Sequence, residues 1–146
     1  MAVVGPHDGG ARLVAEAEAV GAELARRGAV VVSGGLGGVM EAACRGAKGA
    51  GGSTLGILPG EDRSAANEWV DMAVATGLGE ARNALVVRAS DALVAVGGGY
   101  GTLSEVALAL KTRRPVIGLD SWDIPGVVGV ASPAEAASAA LEAVSR

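Results

Sequence analysis

Apolar and polar positions follow two different patterns along the chain. Short runs rich in valine and alanine, such as Ala29–Val32 and Ala92–Val96, are apolar at almost every position. Runs of this kind are typical of strands that are buried on both faces of a sheet. Longer stretches, of which Ala11–Arg27 is the clearest, repeat apolar residues at helical spacing and carry charges on the other face. The pattern therefore predicts buried strands that alternate with amphipathic helices.

This alternation predicts a Rossmann-like α/β domain with three layers, in which a parallel sheet has helices on both faces. We expect residues 1–146 to form a single domain. The four most apolar strands, at 29–32, 54–58, 92–96 and 115–119, should be parallel neighbours. The predicted strands are Ala2–Gly5, Ala29–Val32, Thr54–Leu58, Trp69–Ala75, Ala92–Val96 and Pro115–Leu119. The predicted helices are Ala11–Arg27, Val39–Lys48, Glu80–Ser90, Thr102–Thr112 and a terminal helix that begins with the capping box Ser132–Glu135.

Two glycine-rich segments each follow a predicted strand and precede a predicted helix. The first is Ser33–Gly38, and the second is Gly97–Gly101 with Thr102 directly after it. Glycine lets a ligand approach the backbone closely, and the unpaired N–H groups at a helix start attract phosphate. The first segment fits a tight turn that packs a helix on the sheet equally well. Neither segment has the lysine of a P-loop or a clean GxGxxG pattern.

Three polar residues near the second segment have alternative explanations. Thr102 and Glu105 form a Thr-x-x-Glu pattern, which is typical of a helix-capping box. Arg82 lies at the start of the preceding predicted helix, where a cation opposes the helix dipole and calls for a compensating anion. That anion can be a protein group or a ligand. Cys44 is expected to pack as a small apolar residue, and His7 is a turn residue or touches a ligand at the strand end.

Composition and charge exclude several classes of function. The net charge of −4, without a basic stripe, argues against binding to nucleic acid or to an anionic membrane. One cysteine and one histidine cannot supply an internal disulfide, a CxxC metal knuckle or a multi-histidine metal site, so we expect no metal. We also expect no cofactor. We find no apolar run of membrane-spanning length and no signal peptide, which makes the cytoplasm the expected location.

The glycine-rich motifs resemble those of a known superfamily. GGGYGTLSE, at Gly97–Glu105, resembles the PGGxGTxxE motif of the LOG (Lonely Guy) family, once labelled lysine decarboxylase-like. SGGLGGVMEAA, which begins at Ser33, resembles that family's GGGxxGxMG segment. The run Ala81–Glu105 is similar to the short bacterial branch of Rossmann-fold nucleotide-binding proteins, near the molybdenum cofactor carrier proteins. The resemblance covers nearly the whole chain.

The resemblance implies an activity and assigns residues to it. LOG enzymes cleave the N-glycosidic bond of a nucleoside 5′-monophosphate and release the base and ribose 5-phosphate. Glu105 would hold the ribose and stabilise positive charge that develops on the sugar, and Arg82 matches the family's catalytic arginine. A homodimer or larger homo-oligomer is also implied. The positions expected to bind the ligand are Gly34, Gly35, Gly37, Gly98, Gly99, Gly101 and Thr102.

Four positions depart from the family pattern. Gly97 replaces the proline of the second motif, Asn83 replaces the lysine after the catalytic arginine, Glu80 stands where histidine is frequent, and Glu41 replaces a glycine. These changes concern the pocket for the base and leave the phosphate motif intact. They favour a second hypothesis, a non-catalytic carrier of a phosphorylated cofactor such as the molybdenum cofactor. A small phosphorylated ligand is common to both hypotheses.

Overall fold

The computed structural model describes residues 1–145, which contain seven strands and five helices. None of these helices is both long enough and apolar enough to cross a membrane. Two short 3-10 turns, at Arg63–Ala65 and Gly79–Ala81, precede β4 and α3. The strands are β1 (Ala2–Val4), β2 (Val31–Ser33), β3 (Thr54–Leu58), β4 (Met72–Ala75), β5 (Leu93–Val96), β6 (Val116–Leu119) and β7 (Val127–Val130). The helices are α1 (Gly10–Arg26), α2 (Val39–Gly49), α3 (Arg82–Arg88), α4 (Tyr100–Lys111) and α5 (Pro133–Val144).

All seven strands belong to one sheet, in the order β4-β3-β2-β1-β5-β6-β7. Every neighbouring pair is parallel, so the predicted parallel sheet is confirmed. The chain adds β2, β3 and β4 on one side of β1 and then crosses to the other side for β5. The four strands predicted as neighbours therefore form two pairs, β2–β3 and β5–β6, with β1 between them. Open α/β sheets bind ligands at such a switch point, beyond the carboxyl ends of the strands.

Successive residues of the central strands point into two separate apolar layers. Val3 of β1 packs into the layer that contains residues of α1, α2 and α5. Ala2 and Val4 pack into the opposite layer, with residues of α3 and α4. Because both faces are covered, a central strand needs apolar residues at every position rather than at alternate ones. The three-layer architecture predicted from the apolar runs is thus confirmed.

Helices α1 and α2 approach each other closely because glycines line their contact. A Cβ atom added to Gly21 of α1 would overlap the carbonyl oxygen of Ala43 in α2. A Cβ atom added to Gly46 of α2 would overlap the carbonyl oxygen of Glu18 in α1. The backbones of the two helices are therefore in direct contact on this face of the sheet.

The structure corrects the bounds of several predicted elements by one to three residues, and two of these corrections have a local cause. Helix α4 begins at Tyr100 instead of Thr102, because Gly99 has an extended backbone and serves as the N-cap. The strand predicted at Trp69–Ala75 is shortened to β4, since the side chain of Asn67 accepts a hydrogen bond from the Trp69 N–H at 3.0 Å and holds a turn there.

Strand β7 was not predicted from the sequence, whereas the capping box at the start of α5 was predicted correctly. VVGV, at Val127–Val130, is a short apolar run beside Pro125-Gly126, which are turn residues, so a sequence signal for β7 was present. The oxygen of Ser132 accepts a hydrogen bond from the Glu135 N–H at 3.2 Å, as the capping box predicts. The carboxylate of Glu135 reaches the Ala131 N–H at 3.0 Å, one residue earlier than the usual partner.

We expect Gly21→Ala to lower the free energy of unfolding by about 1–3 kcal/mol, because the methyl group has to push α1 and α2 apart. Gly49→Ala is the matched control, since a Cβ atom there meets nothing within 4 Å. The control should leave stability unchanged or raise it slightly, because alanine favours helix. Urea unfolding of the three proteins measures both effects. Equal stability of the two variants would contradict the close helix contact.

Candidate functional site

A cleft of about 450 Å³ opens at the carboxyl ends of the central strands. It lies at the switch point, where the loops after β1, β2 and β5 meet. Its volume is in the range of small-ligand sites. Six of the residues predicted to bind or act on a ligand line this cleft: Gly34, Arg82, Gly99, Gly101, Thr102 and Glu105.

The start of α4 forms one wall of the cleft. The first bond of this helix runs from the Leu103 N–H to the Gly99 carbonyl, at 2.9 Å. The N–H groups of Tyr100, Gly101 and Thr102 precede that bond and so have no acceptor within the helix. Gly101 is exposed and has nothing within 4 Å of its Cβ position, so the backbone there is open to a ligand. Unpaired N–H groups and the positive end of the helix dipole together favour an anion.

Arg82 and Glu105 converge in the same cleft from two different helices. Arg82 is the first residue of α3, Glu105 lies one turn into α4, and both are more than nine-tenths buried. The Arg82 Nη1 atom lies 3.9 Å from the Glu105 Oε1 atom, which is an ion pair without a hydrogen bond. The Nε atom of Arg82 is buried and has no hydrogen-bond partner among residues 1–145. The guanidinium group lies directly against Gly34, where any larger residue would collide with it.

Burial dominates the electrostatics of this pair. Desolvation raises the pKa of Glu105 to about 7, and the positive charge of Arg82 offsets only part of this effect. Desolvation likewise lowers the pKa of Arg82, against the opposing effect of Glu105. Arginine nevertheless remains charged at any ordinary pH. Near neutral pH the cleft therefore holds a permanent cation beside a carboxyl group that is readily protonated.

The capping-box explanation for Thr102 and Glu105 is wrong. Because Gly99 caps α4, Thr102 is the third helical residue and cannot be the N-cap. Glu105 is directed to Arg82 instead of to its own helix terminus. Glu105 of α4 supplies the anion that the sequence required near Arg82, although at a distance that leaves part of the guanidinium group unpaired.

Three of the predicted glycines lie beside the cleft and are absent from its lining. A side chain on Gly35, whose φ is +77°, would meet Leu58, and the Gly35 N–H already donates to Ser33 Oγ at 3.0 Å. A side chain on Gly98 would meet the indole of Trp122, and one on Gly37 would meet the imidazole of His7. A role in ligand binding for Gly35, Gly37 and Gly98 stays a prediction.

Long-range contacts that the sequence did not reveal hold the cleft in shape. Asn83 Nδ2 donates to Ser104 Oγ at 3.1 Å, and Ser104 Oγ donates to the Gly101 carbonyl at 2.7 Å. Trp122 Nε1 donates to the Gly99 carbonyl at 3.2 Å. The Asn83–Ser104 and Trp122–Gly99 bonds join different elements, so no local motif could have indicated them, whereas the Ser104–Gly101 bond lies within α4.

Other candidate chemistry is sparse in residues 1–145. They contain no cluster of three or more His, Cys, Asp or Glu side chains that could hold a metal ion. Cys44 is buried in α2 as predicted, with its Sγ atom 3.4 Å from Ser33 Oγ, and burial raises the pKa of its thiol. Among the described residues, the cleft is therefore the candidate functional site.

The fold and the cleft define a Rossmann-like α/β protein with its candidate site at the switch point of the sheet. The sequence profile of the SLOG cluster4 family matches residues 1–144, and the chain belongs to this family. The resemblance to the LOG-like superfamily, in the branch near the molybdenum cofactor carrier proteins, is confirmed by this match and by the proteins described next.

Two relatives by sequence cover part of the chain. A protein of Archaeoglobus fulgidus is 50% identical over 100 residues, 68% of this chain and 66% of its own length. A probable cytokinin riboside 5′-monophosphate phosphoribohydrolase of Oryza sativa is 37% identical over 90 residues, 60% of this chain and 37% of its own length. The chain thus matches about two thirds of the first relative and little more than one third of the second.

Several solved structures match almost the whole chain, among them two proteins that bind or carry the molybdenum cofactor according to their descriptions. The molybdenum cofactor binding protein of Rippkaea orientalis is 39% identical with a TM-score of 0.92, over 99% of this chain and 96% of its own. The molybdenum cofactor carrier protein of Chlamydomonas reinhardtii is 36% identical with a TM-score of 0.89, over 99% of this chain and 97% of its own. The three-layer fold is therefore shared with these proteins.

Glu105 should make the protein less stable as the pH rises. Burial raises its pKa from 4.5 to about 7, so between these values the folded state keeps a proton that the unfolded chain releases. The free energy of unfolding therefore falls across this window, by up to about 3 kcal/mol at about 1.4 kcal/mol per pKa unit. Urea unfolding of the wild type and Glu105→Gln at several pH values between 4 and 8 should show a steeper decline for the wild type. Parallel curves would contradict the shifted pKa.

Proposed function

We propose that the protein binds a small ligand through a phosphate group, which the start of α4 and the guanidinium group of Arg82 hold together. The ligand is a nucleoside 5′-monophosphate or a phosphorylated cofactor of similar size. This proposal covers both hypotheses that the sequence motifs left open. Residue roles are proposed for Gly34, Gly99, Gly101, Thr102, Arg82 and Glu105, which share the cleft.

One observation carries the proposal: Arg82 is buried in the cleft without enough protein partners. Its nearest carboxylate atom is 3.9 Å away, and its Nε atom has no partner in residues 1–145. A buried charge that is so poorly paired destabilises the protein, often by several kcal/mol. An anion between Arg82 and the N–H groups of α4 would satisfy both at once. A phosphate supplies three acceptor oxygens, which suits this set of donors.

A carrier role fits the comparison with solved structures. The two matching proteins named above are described as binding or carrying the molybdenum cofactor, and both cover 99% of this chain. A carrier needs the phosphate contacts and no reacting carboxylate. With its pKa raised to about 7, Glu105 is partly protonated near neutral pH and then does not repel an anionic ligand. Asn83 and Glu80, which depart from the LOG pattern, also line the cleft.

Phosphoribohydrolase activity is the second candidate, and the pairing of Arg82 with Glu105 favours it. Departure of the base from a nucleoside 5′-monophosphate leaves positive charge on the sugar. An ionised Glu105 beside that sugar would stabilise the transition state more than the substrate. Since the carboxylate is the active form, hydrolysis would increase as the pH rises through about 7. The rice relative named above is described as a probable enzyme of this type.

The homo-oligomer and the cytoplasmic location stay predictions. Several large apolar side chains are exposed near the edge of the sheet and on α3, among them Met72, Val74 and Leu85. Such exposure is consistent with an interface between copies, although single exposed apolar residues are common in monomers.

Gly101→Val should weaken phosphate-ligand binding at least tenfold, because the side chain would occupy the open backbone at the start of α4. The fold should tolerate the change, since nothing lies within 4 Å of the Gly101 Cβ position. Gly129→Val is the matched control, because the Cβ position of Gly129 in β7 is also open and lies away from the cleft. Calorimetric titration with nucleoside 5′-monophosphates, ribose 5-phosphate and the molybdenum cofactor measures the affinities. Equal affinities in both variants would contradict the proposed phosphate site.

The variant Glu105→Gln distinguishes the phosphoribohydrolase hypothesis from the carrier hypothesis. If the protein is a phosphoribohydrolase, the wild type releases base and ribose 5-phosphate, and the variant has a kcat lower by roughly a hundredfold or more. Its affinity changes less, because the phosphate contacts remain. A carrier releases no base from any nucleotide of the panel, and the variant changes affinity alone. Glu142→Gln in α5 is the control for loss of one carboxylate elsewhere. Release of base at the wild-type rate by Glu105→Gln would contradict the role proposed for this residue.

A further inference from the structure

The loop after β1 forms another wall of the cleft, and its position is fixed by the loop after β2. The Val39 N–H donates to the Pro6 carbonyl at 3.3 Å, which joins the start of α2 to this loop. A Cβ atom on Gly38 would overlap the backbone carbonyl of His7, and the positive φ of Gly38, +66°, also favours glycine. The backbone of His7 is therefore held in place although its side chain is exposed.

The imidazole of His7 lies against Gly37 and lines the cleft that also contains Arg82. A Cβ atom on Gly37 would lie 2.7 Å from Cε1, 3.2 Å from Nδ1 and 3.7 Å from Nε2 of His7, and these are its three nearest atoms. The φ of Gly37 is not positive, so its backbone does not require glycine. The contact that a larger residue would disturb at this position is the imidazole itself.

We propose that His7 is a further ligand-binding residue, whose imidazole donates a hydrogen bond to an oxygen atom of the bound phosphorylated ligand. An imidazole has at least one N–H donor in either protonation state. Gly37 is then a positioning residue, because it leaves the space in which the imidazole lies. This inference rests on the proposed function, since it assumes that the unpaired guanidinium group of Arg82 marks a ligand site. It accounts for the small residue at position 37, which lies against the imidazole and does not itself line the cleft.

A double-mutant cycle tests the inference on the intact chain. The probe is whichever of adenosine 5′-monophosphate, ribose 5-phosphate and the molybdenum cofactor binds the wild type most tightly. His7→Ala should weaken binding roughly tenfold, the usual effect of losing a hydrogen bond to a charged group. Gly37→Ala should weaken it by a similar factor, because its methyl group displaces the imidazole. In the His7→Ala background Gly37→Ala should have no further effect, since the space is then empty.

The control and a spectroscopic signal separate binding from a structural effect. Asp8→Ala changes the adjacent exposed residue, which does not line the cleft, and should leave the affinity unchanged. Because His7 is the one histidine of the sequence, its ring ¹⁵N signals need no assignment. These signals should shift when the probe binds to the wild type. They should also shift on binding to the Asp8→Ala variant.

Three outcomes would overturn the inference. Unchanged affinity in His7→Ala, with normal binding by the wild type, overturns it and leaves the proposed function standing. Equal and additive losses from His7→Ala and Gly37→Ala overturn the positioning role of Gly37. Absence of binding by the wild type to all three probes overturns the proposed function first, and the inference with it.

Discussion

The site depends on a close approach of strand-end loops that glycine alone permits. A side chain on Gly5, after β1, would overlap the carbonyl oxygen of Val96 in β5. A side chain on Gly34, after β2, would overlap the guanidinium group of Arg82. These positions bring the ends of β1, β2 and β5 together at the switch point of the sheet. The cleft is the space that remains between them, and its shape is limited by the contact of Gly5 with the Val96 backbone and by that of Gly34 with the Arg82 side chain.

In this cleft, Arg82 and Glu105 lie buried, and neither side chain has enough hydrogen-bond partners. Desolvation shifts both pKa values toward the neutral form, and the separation of 3.9 Å between Nη1 and Oε1 is too long for a hydrogen bond to compensate. Buried pairs of this kind contribute little to stability and can lower it. Proteins retain such local conflicts mainly at functional sites. Under the proposed function, an anion that joins the pair would resolve this conflict and would couple the stability of the cleft to its ligand.

The same arrangement explains why binding and hydrolysis are difficult to separate. In the proposed function, both would use the N–H groups of α4 and the charge of Arg82, and they differ in the role that Glu105 would have. A carrier accepts a protonated Glu105, whereas hydrolysis requires the carboxylate. On this proposal, the environment of Glu105 would determine whether the cleft hydrolyses its ligand or only binds it. Family membership, which covers residues 1–144, does not separate the two roles.

The sequence by itself determined the layers of the fold and the region of the site. Continuous apolar runs indicated strands buried on both faces, and the bounds of Thr54–Leu58 were predicted correctly, because the turn residues Pro59 and Gly60 end the strand there. Only the tertiary structure decided what each glycine does and which side chains meet. A glycine in the sequence indicates that another group can approach the backbone closely, but it does not identify that group. In the structure the group is His7 at Gly37 and Trp122 at Gly98. The partners lie on other elements, so the folded backbone had to bring them together first.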